Sequence, residues 1–155
     1  MEISSQGSYP ANALSNFAAH RFTFDGVECA SMEGLLQAFK TKNPAMQREL
    51  CKYIGKGAKF RGGGHNWQKR QILYWNGVEY KRDSDDYQNL LTRAYDALFT
   101  SESFRSALRA AQNASFSHSL GKKNQRETVL TAREFIAQLN RLRERLIKEY
   151  GKDRK

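Results

Sequence analysis

The chain has 155 residues, 39% apolar and 27% charged, which suits one compact domain with its own core and excludes a disordered chain. No stretch approaches the roughly 20 apolar residues of a membrane span, and the first residues carry no secretory pattern. The formal charge of +10 is uneven: 40–82 holds eleven Lys or Arg against Glu49 and Glu79, a net +9 that either attracts phosphates or only solvates the surface.

In chain order, Asp25-Gly26 separates Arg21-Phe22-Thr23-Phe24 from Val27-Glu28-Cys29, and such dipeptides between β-prone residues predict a tight hairpin. Ser31 is placed to cap a helix over 32–42, stopped near Asn43-Pro44, and a second helix is expected over 45–54. The run Lys56-Gly57-Ala58-Lys59-Phe60-Arg61-Gly62-Gly63-Gly64-His65 is basic and Gly-rich without a Walker or Rossmann pattern. It reads as a flexible loop, or as a mobile rim that touches phosphate. Asn76-Gly77 then predicts a second hairpin between Ile72-Leu73-Tyr74-Trp75 and Val78-Glu79-Tyr80.

Helices are expected over 87–98 and 102–111. A last helix starts at the Thr131/Glu134 capping box, with Phe135, Leu139, Leu142 and Leu146 on its inner face. Residues 151–155 are expected to fray. The expected fold is α+β: a mainly helical single domain over 1–155 with two short β-hairpins, its core at about 14–147 and a basic tail at 148–155. Cys29 and Cys51, in no metal-ligand spacing, read as reduced thiols of a cytoplasmic protein.

On the helix after Ser31, Glu33, Gln37 and Lys40 fall at i, i+4 and i+7 and share a face, while Leu35, Leu36 and Phe39 turn to the core. A carboxylate, an amide and an amine on one stripe suit proton transfer, hydrogen bonding to a substrate and carbonyl or phosphate chemistry. The same stripe is also what an ordinary exposed helix face looks like. His20, His65 and His118 are scattered and form no metal set, so no metal or cofactor is expected. Tyr74, Trp75, Tyr80 and Tyr87 lie among basic residues, either as platforms for bases or as hairpin and helix core.

Leu14-Ser15-Asn16-Phe17, Phe24-Asp25-Gly26 and Glu33-Gly34-Leu35-Leu36-Gln37-Ala38-Phe39-Lys40, in this order, resemble the opening signature of the NADAR family, also called YbiA-like. Downstream, the resemblance extends through Trp67, Gln71–Gly77, Arg82–Gln88, His118-Ser119-Leu120-Gly121 and Glu127–Thr131, so that it spans about 14–143. It implies a pocket for ADP-ribose or a ribose phosphate and hydrolysis of the bond between C1′ and an amine nitrogen. Members are associated with removing ADP-ribose from guanine in DNA or with cleaving aminopyrimidine ribosides of the riboflavin pathway. DNA or another nucleic acid is therefore a candidate partner.

By this resemblance Glu33 and Lys40 are the catalytic candidates, and Asn16, Phe17, Gln37, Trp67, His118 and Gly121 the substrate-binding ones. Many members carry an acidic residue and Trp-Gly before a late Gly; this chain has Ser117-His118-Ser119-Leu120-Gly121-Lys122, with His118 and Glu127 as conjectural replacements. Two routes fit the chemistry. Glu33 can manage the leaving nitrogen or a water while an oxocarbenium-like carbon is attacked. Alternatively the ribose opens and Lys40 forms a Schiff base at C1′. Two other readings stay open: a non-catalytic reader of ADP-ribose or modified nucleic acid, and a basic DNA-binding protein without pocket chemistry.

Overall fold

Both hairpins form, and for the expected reason. The computed structural model describes the backbone of residues 1–153 and the side chains of 1–149. In it β1 (Phe22–Phe24) pairs antiparallel with β2 (Val27–Cys29), and β3 (Ile72–Trp75) with β4 (Val78–Lys81). Asp25, Gly26, Asn76 and Gly77 all have positive φ, the backbone that a two-residue hairpin turn requires.

Helices supply most of the remainder. They are α1 (Ala11–Leu14), α2 (Met32–Ala38), α3 (Pro44–Leu50), α4 (Gly55–Arg61), α5 (Trp67–Arg70), α6 (Asp85–Leu98), α7 (Glu102–Ala111) and α8 (Ala132–Asp153). Ser31 caps α2 by accepting from the Gly34 amide at 3.1 Å. The helix ends at Ala38, short of the expected 42, because the Phe39 carbonyl is drawn to the Tyr74 amide (2.8 Å) and the Lys40 amide tightens onto Gln37 O. Asn43 and Pro44 then open α3, which stops at Leu50, not at 54.

The Gly-rich segment corrects the flexible-loop expectation, since 55–61 is helical. Its one fully buried side chain is Ala58, which leaves no apolar period to detect in the sequence. The short helices α1 and α5 were likewise not expected. The end of the chain departs from the frayed-tail expectation: α8 continues to Asp153, and Arg154 and Lys155 lie outside the described residues.

The core gathers Leu35 and Leu36 of α2 and Phe39 just after it with α6, α7 and the Phe135/Leu139/Leu142/Leu146 face of α8. Each such large side chain contributes about 1.5–3 kcal/mol on burial. Trp75 and Tyr87 belong to this core and are not base-stacking platforms. Trp75 stacks on Phe24 with ring centroids 5.5 Å apart and donates from Nε1 to Asp25 Oδ2 at 2.9 Å; Tyr87 is fully buried and donates to the Val129 carbonyl. Cys29 and Cys51 are buried free thiols. No helix among the described residues is long and apolar enough to cross a membrane.

Two long-range ties bring the 117–131 segment over α2. The capping box forms as expected, with the Thr131 amide donating to Glu134 Oε1 (2.8 Å) and the Glu134 amide to Thr131 Oγ1 (3.1 Å). The buried Arg82 guanidinium pairs with Glu134 at 2.6 Å and donates from Nε to the Thr128 carbonyl at 2.9 Å. Burial would raise the Glu134 carboxyl, but hydrogen bonds from Arg82, Gln88 and the Thr131 amide hold it below the usual carboxylate range. At the other end the N-terminal residues bridge to the same segment, Ile3 N donating to Ser117 O and Ser117 N to Met1 O.

Candidate functional site

Between α2, the Ser15-Asn16-Phe17 loop and the 118–130 segment lies a cavity of about 420 Å³. Asn16, Phe17, Glu33, Gln37, Lys40, Trp67, His118 and Gly121 all line it. Ser4, Ser5, Lys59 and Lys122 line it too, and sequence reasoning did not single these out as site residues. Only Lys59 left a trace, as part of the basic run. A second hollow, of about 390 Å³ beside β1 and β2, contains none of the expected site residues.

The loop is tied to the helix by its main chain: the Glu33 amide donates to Asn16 O at 3.0 Å. Asn16 Oδ1 accepts from the buried Tyr95 hydroxyl at 2.7 Å, and the Asn16 amide nitrogen has no hydrogen-bond partner among the described residues. Gln37 Nε2 donates to Glu33 Oε1 at 2.8 Å, the i, i+4 contact that the stripe implies. Lys40 follows one turn later, just past the C-terminal end of α2.

Burial shifts both titratable groups of the stripe in the direction of their neutral forms. Burial raises the Glu33 carboxyl, and the opposing hydrogen bond from Gln37 and the charges of Lys40 and Lys59 do not cancel this. Burial lowers the Lys40 ammonium; Glu33 works against the shift, while Lys59 and Lys122 add to it. Lys59 and Lys122 thus have a double effect. They supply positive charge to the cavity, and they push the neighbouring lysine toward its free amine.

Gln37 depends on a glycine. A Cβ at Gly62 would lie 2.1 Å from Gln37 Oε1 and 2.6 Å from Gln37 Cβ, and Gln37 is only 4% exposed, so it has little room to move away. Gly62→Ala is therefore expected to destabilise the fold by about 1–3 kcal/mol, read as a Tm several degrees lower. An unchanged Tm would mean that α4 swings off α2 without cost. The Gln37 Oε1 atom is itself buried without a donor among the described residues.

Among the histidines, His20 is a structural imidazole, with Nδ1 2.6 Å from Ser103 Oγ and Nε2 2.6 Å from the Ala13 carbonyl. His65 lies away from the cavity lining, and only His118 faces it. Among the described residues no group of three His, Cys, Asp or Glu side chains is placed to hold a metal ion.

A family model described as bacteriophage protein GP30.3 matches residues 8–144. An uncharacterized 17.1 kDa protein from the Gp30–rIII intergenic region of Enterobacteria phage T4 is 38% identical over 149 residues, covering 94% of this chain and 98% of the phage T4 protein. The NMR structure of the E. coli protein YbiA matches with a TM-score of 0.60 over 95% of this chain and 83% of that one. At 20% identity this is a likeness of fold.

Proposed function

The chain belongs to the bacteriophage GP30.3 family, and from this and its YbiA-like fold we propose that it is a hydrolase of N-glycosidic bonds on ADP-ribose-like compounds. The substrate is an ADP-ribosylated base, guanine in DNA first, or a related ribose-phosphate aminopyrimidine. The observation that supports catalysis is the pairing of a carboxyl pushed toward its protonated form with an amine pushed toward its neutral form in one cavity.

Each residue then has a task. Glu33 protonates the departing amine nitrogen, and Gln37 holds its carboxyl in place. Lys40, as a free amine, attacks C1′ of the opened ribose; a direct attack of water on the closed ring uses the same proton from Glu33. Asn16 offers an amide donor to the sugar, Lys59 and Lys122 neutralise phosphate, and the aromatic faces of Phe17 and Trp67 border the space for a ring.

The deciding experiment is turnover of ADP-ribosylated guanine in DNA alongside the riboflavin-pathway ribosylamine, read as released ADP-ribose or ribose phosphate. Release from either supports the hydrolase and names its substrate. Tight binding of ADP-ribose with no turnover of either would instead support a reader.

If the substrate is carried on DNA, the basic residues of α4 recruit it. Neutralising Lys56, Lys59 and Arg61 together is expected to weaken DNA binding and to flatten its salt dependence by about one slope unit per lost phosphate contact. Salt titration of parent and variant checks this. Superimposable titrations would reduce the segment to a solubility feature and favour the small metabolite.

A further inference from the structure

His118 is anchored through one ring nitrogen. Its Nδ1 lies 2.8 Å from the Ile3 carbonyl oxygen. A carbonyl oxygen only accepts, so Nδ1 carries a proton whether the ring is neutral or charged, and Nε2 alone gains or loses one. Nε2 has no hydrogen-bond partner among the described residues and is not among the fully buried unpartnered atoms, and the ring lines the cavity that holds Glu33 and Lys40. His20, with both ring nitrogens occupied, shows what an imidazole used only for structure looks like in the same chain.

The ring is held as bases in catalytic sites are held. It meets Phe135 edge-on with centroids 5.0 Å apart. On another side it lies against Gly121, where a Cβ would come within 2.6 Å of His118 Cδ2. The orienting carbonyl is itself fixed: Ile3 is fully buried, its amide donates to Ser117 O at 2.7 Å, and the Glu2 carboxylate accepts from the Ser119 amide at 2.6 Å. An orienter, a clamped ring and an unpartnered nitrogen on a ring that lines the cavity form the arrangement that proton transfer needs.

We propose that His118 is the general base of the water step, its Nε2 taking the proton from the water that attacks C1′. This rests on the hydrolase reading above. The water oxygen forms a bond to C1′, of either the Lys40 iminium or an oxocarbenium-like carbon, and one water proton passes to Nε2. The amine has already left with a proton from Glu33, so one proton is spent and one recovered. On the Lys40 route the resulting carbinolamine then collapses: its hydroxyl proton passes to the Lys40 nitrogen, the C1′–N bond breaks, and the sugar aldehyde and the neutral Lys40 amine are released. Return of the His118 proton to Glu33 through solvent closes the cycle on either route. The same histidine serves both routes, because both end in attack by water.

The informative variant is His118→Asn, which keeps an amide donor near the Nδ1 position for the Ile3 carbonyl and removes Nε2. With a folded variant, kcat is expected to fall about 10²-fold with little change in KM, and added imidazole to restore part of the loss. His118→Ala, which leaves space for imidazole, is expected to be rescued more fully. Undiminished kcat, or a loss that imidazole restores in neither variant, would overturn the role of His118 while leaving the hydrolase intact. A parent that turns over neither substrate would overturn both.

Discussion

Borohydride added during turnover is expected to trap a covalent adduct, and mass spectrometry to locate it on Lys40. A Schiff base needs an amine that is free at working pH, and Lys40 is moved in that direction by burial and by Lys59 and Lys122, against the pull of Glu33. Lys40→Arg separates nucleophile from charge. The guanidinium keeps the positive charge and its attraction for phosphate but cannot form an imine. ADP-ribose binding is expected to survive while turnover falls on the order of 10⁴-fold, the scale of losing a nucleophile. Substantial activity in this variant with no trapped adduct would eliminate the covalent route and leave water to attack the sugar directly.

Glu33→Gln should lower turnover by about 10²- to 10⁴-fold without loss of ADP-ribose binding, since it preserves the shape and the acceptor for Gln37 but not the proton. Near-normal turnover in a folded variant would remove Glu33 from the mechanism. The pH dependence has a definite sign. If Glu33 is the acid and Lys40 the nucleophile, kcat/KM is expected to fall toward alkaline pH as Glu33 loses its proton and toward acid pH as Lys40 gains one. Glu33→Gln should flatten the alkaline side alone.

Stability moves independently of rate. The Glu33 pKa is raised in the fold, so its ionisation costs folded stability above the ordinary glutamate range and costs nothing below it. Melting curves of Glu33→Gln and parent should therefore separate in favour of the variant near neutral pH and converge as pH drops below that range. A gap that does not depend on pH would mean that the carboxyl is not strained by burial.

Local physics made much of this protein legible. Positive φ at Asp25-Gly26 and Asn76-Gly77, the cap at Ser31, the Thr131/Glu134 box and the inner face of α8 each depend on neighbours a few residues away. The stripe Glu33, Gln37, Lys40 depends on helical periodicity in the same way, and the family resemblance gave it chemical meaning. The helix α4 was not legible. Two glycines within it and three after it imply a loop, and a single buried alanine gives no period; the glycine at 62 is there because α4 closes on Gln37.

Only the tertiary structure decided that Trp75 and Tyr87 are core, that Ser4, Ser5, Lys59 and Lys122 reach the cavity, and that Ile3 orients His118. These depend on contacts between distant parts of the chain, for which sequence spacing carries no signal. The same holds for the chemistry of the stripe. Residue types and spacing determined which groups share a face; the direction in which Glu33 and Lys40 titrate was decided by how much water and how many foreign charges the folded chain leaves around them.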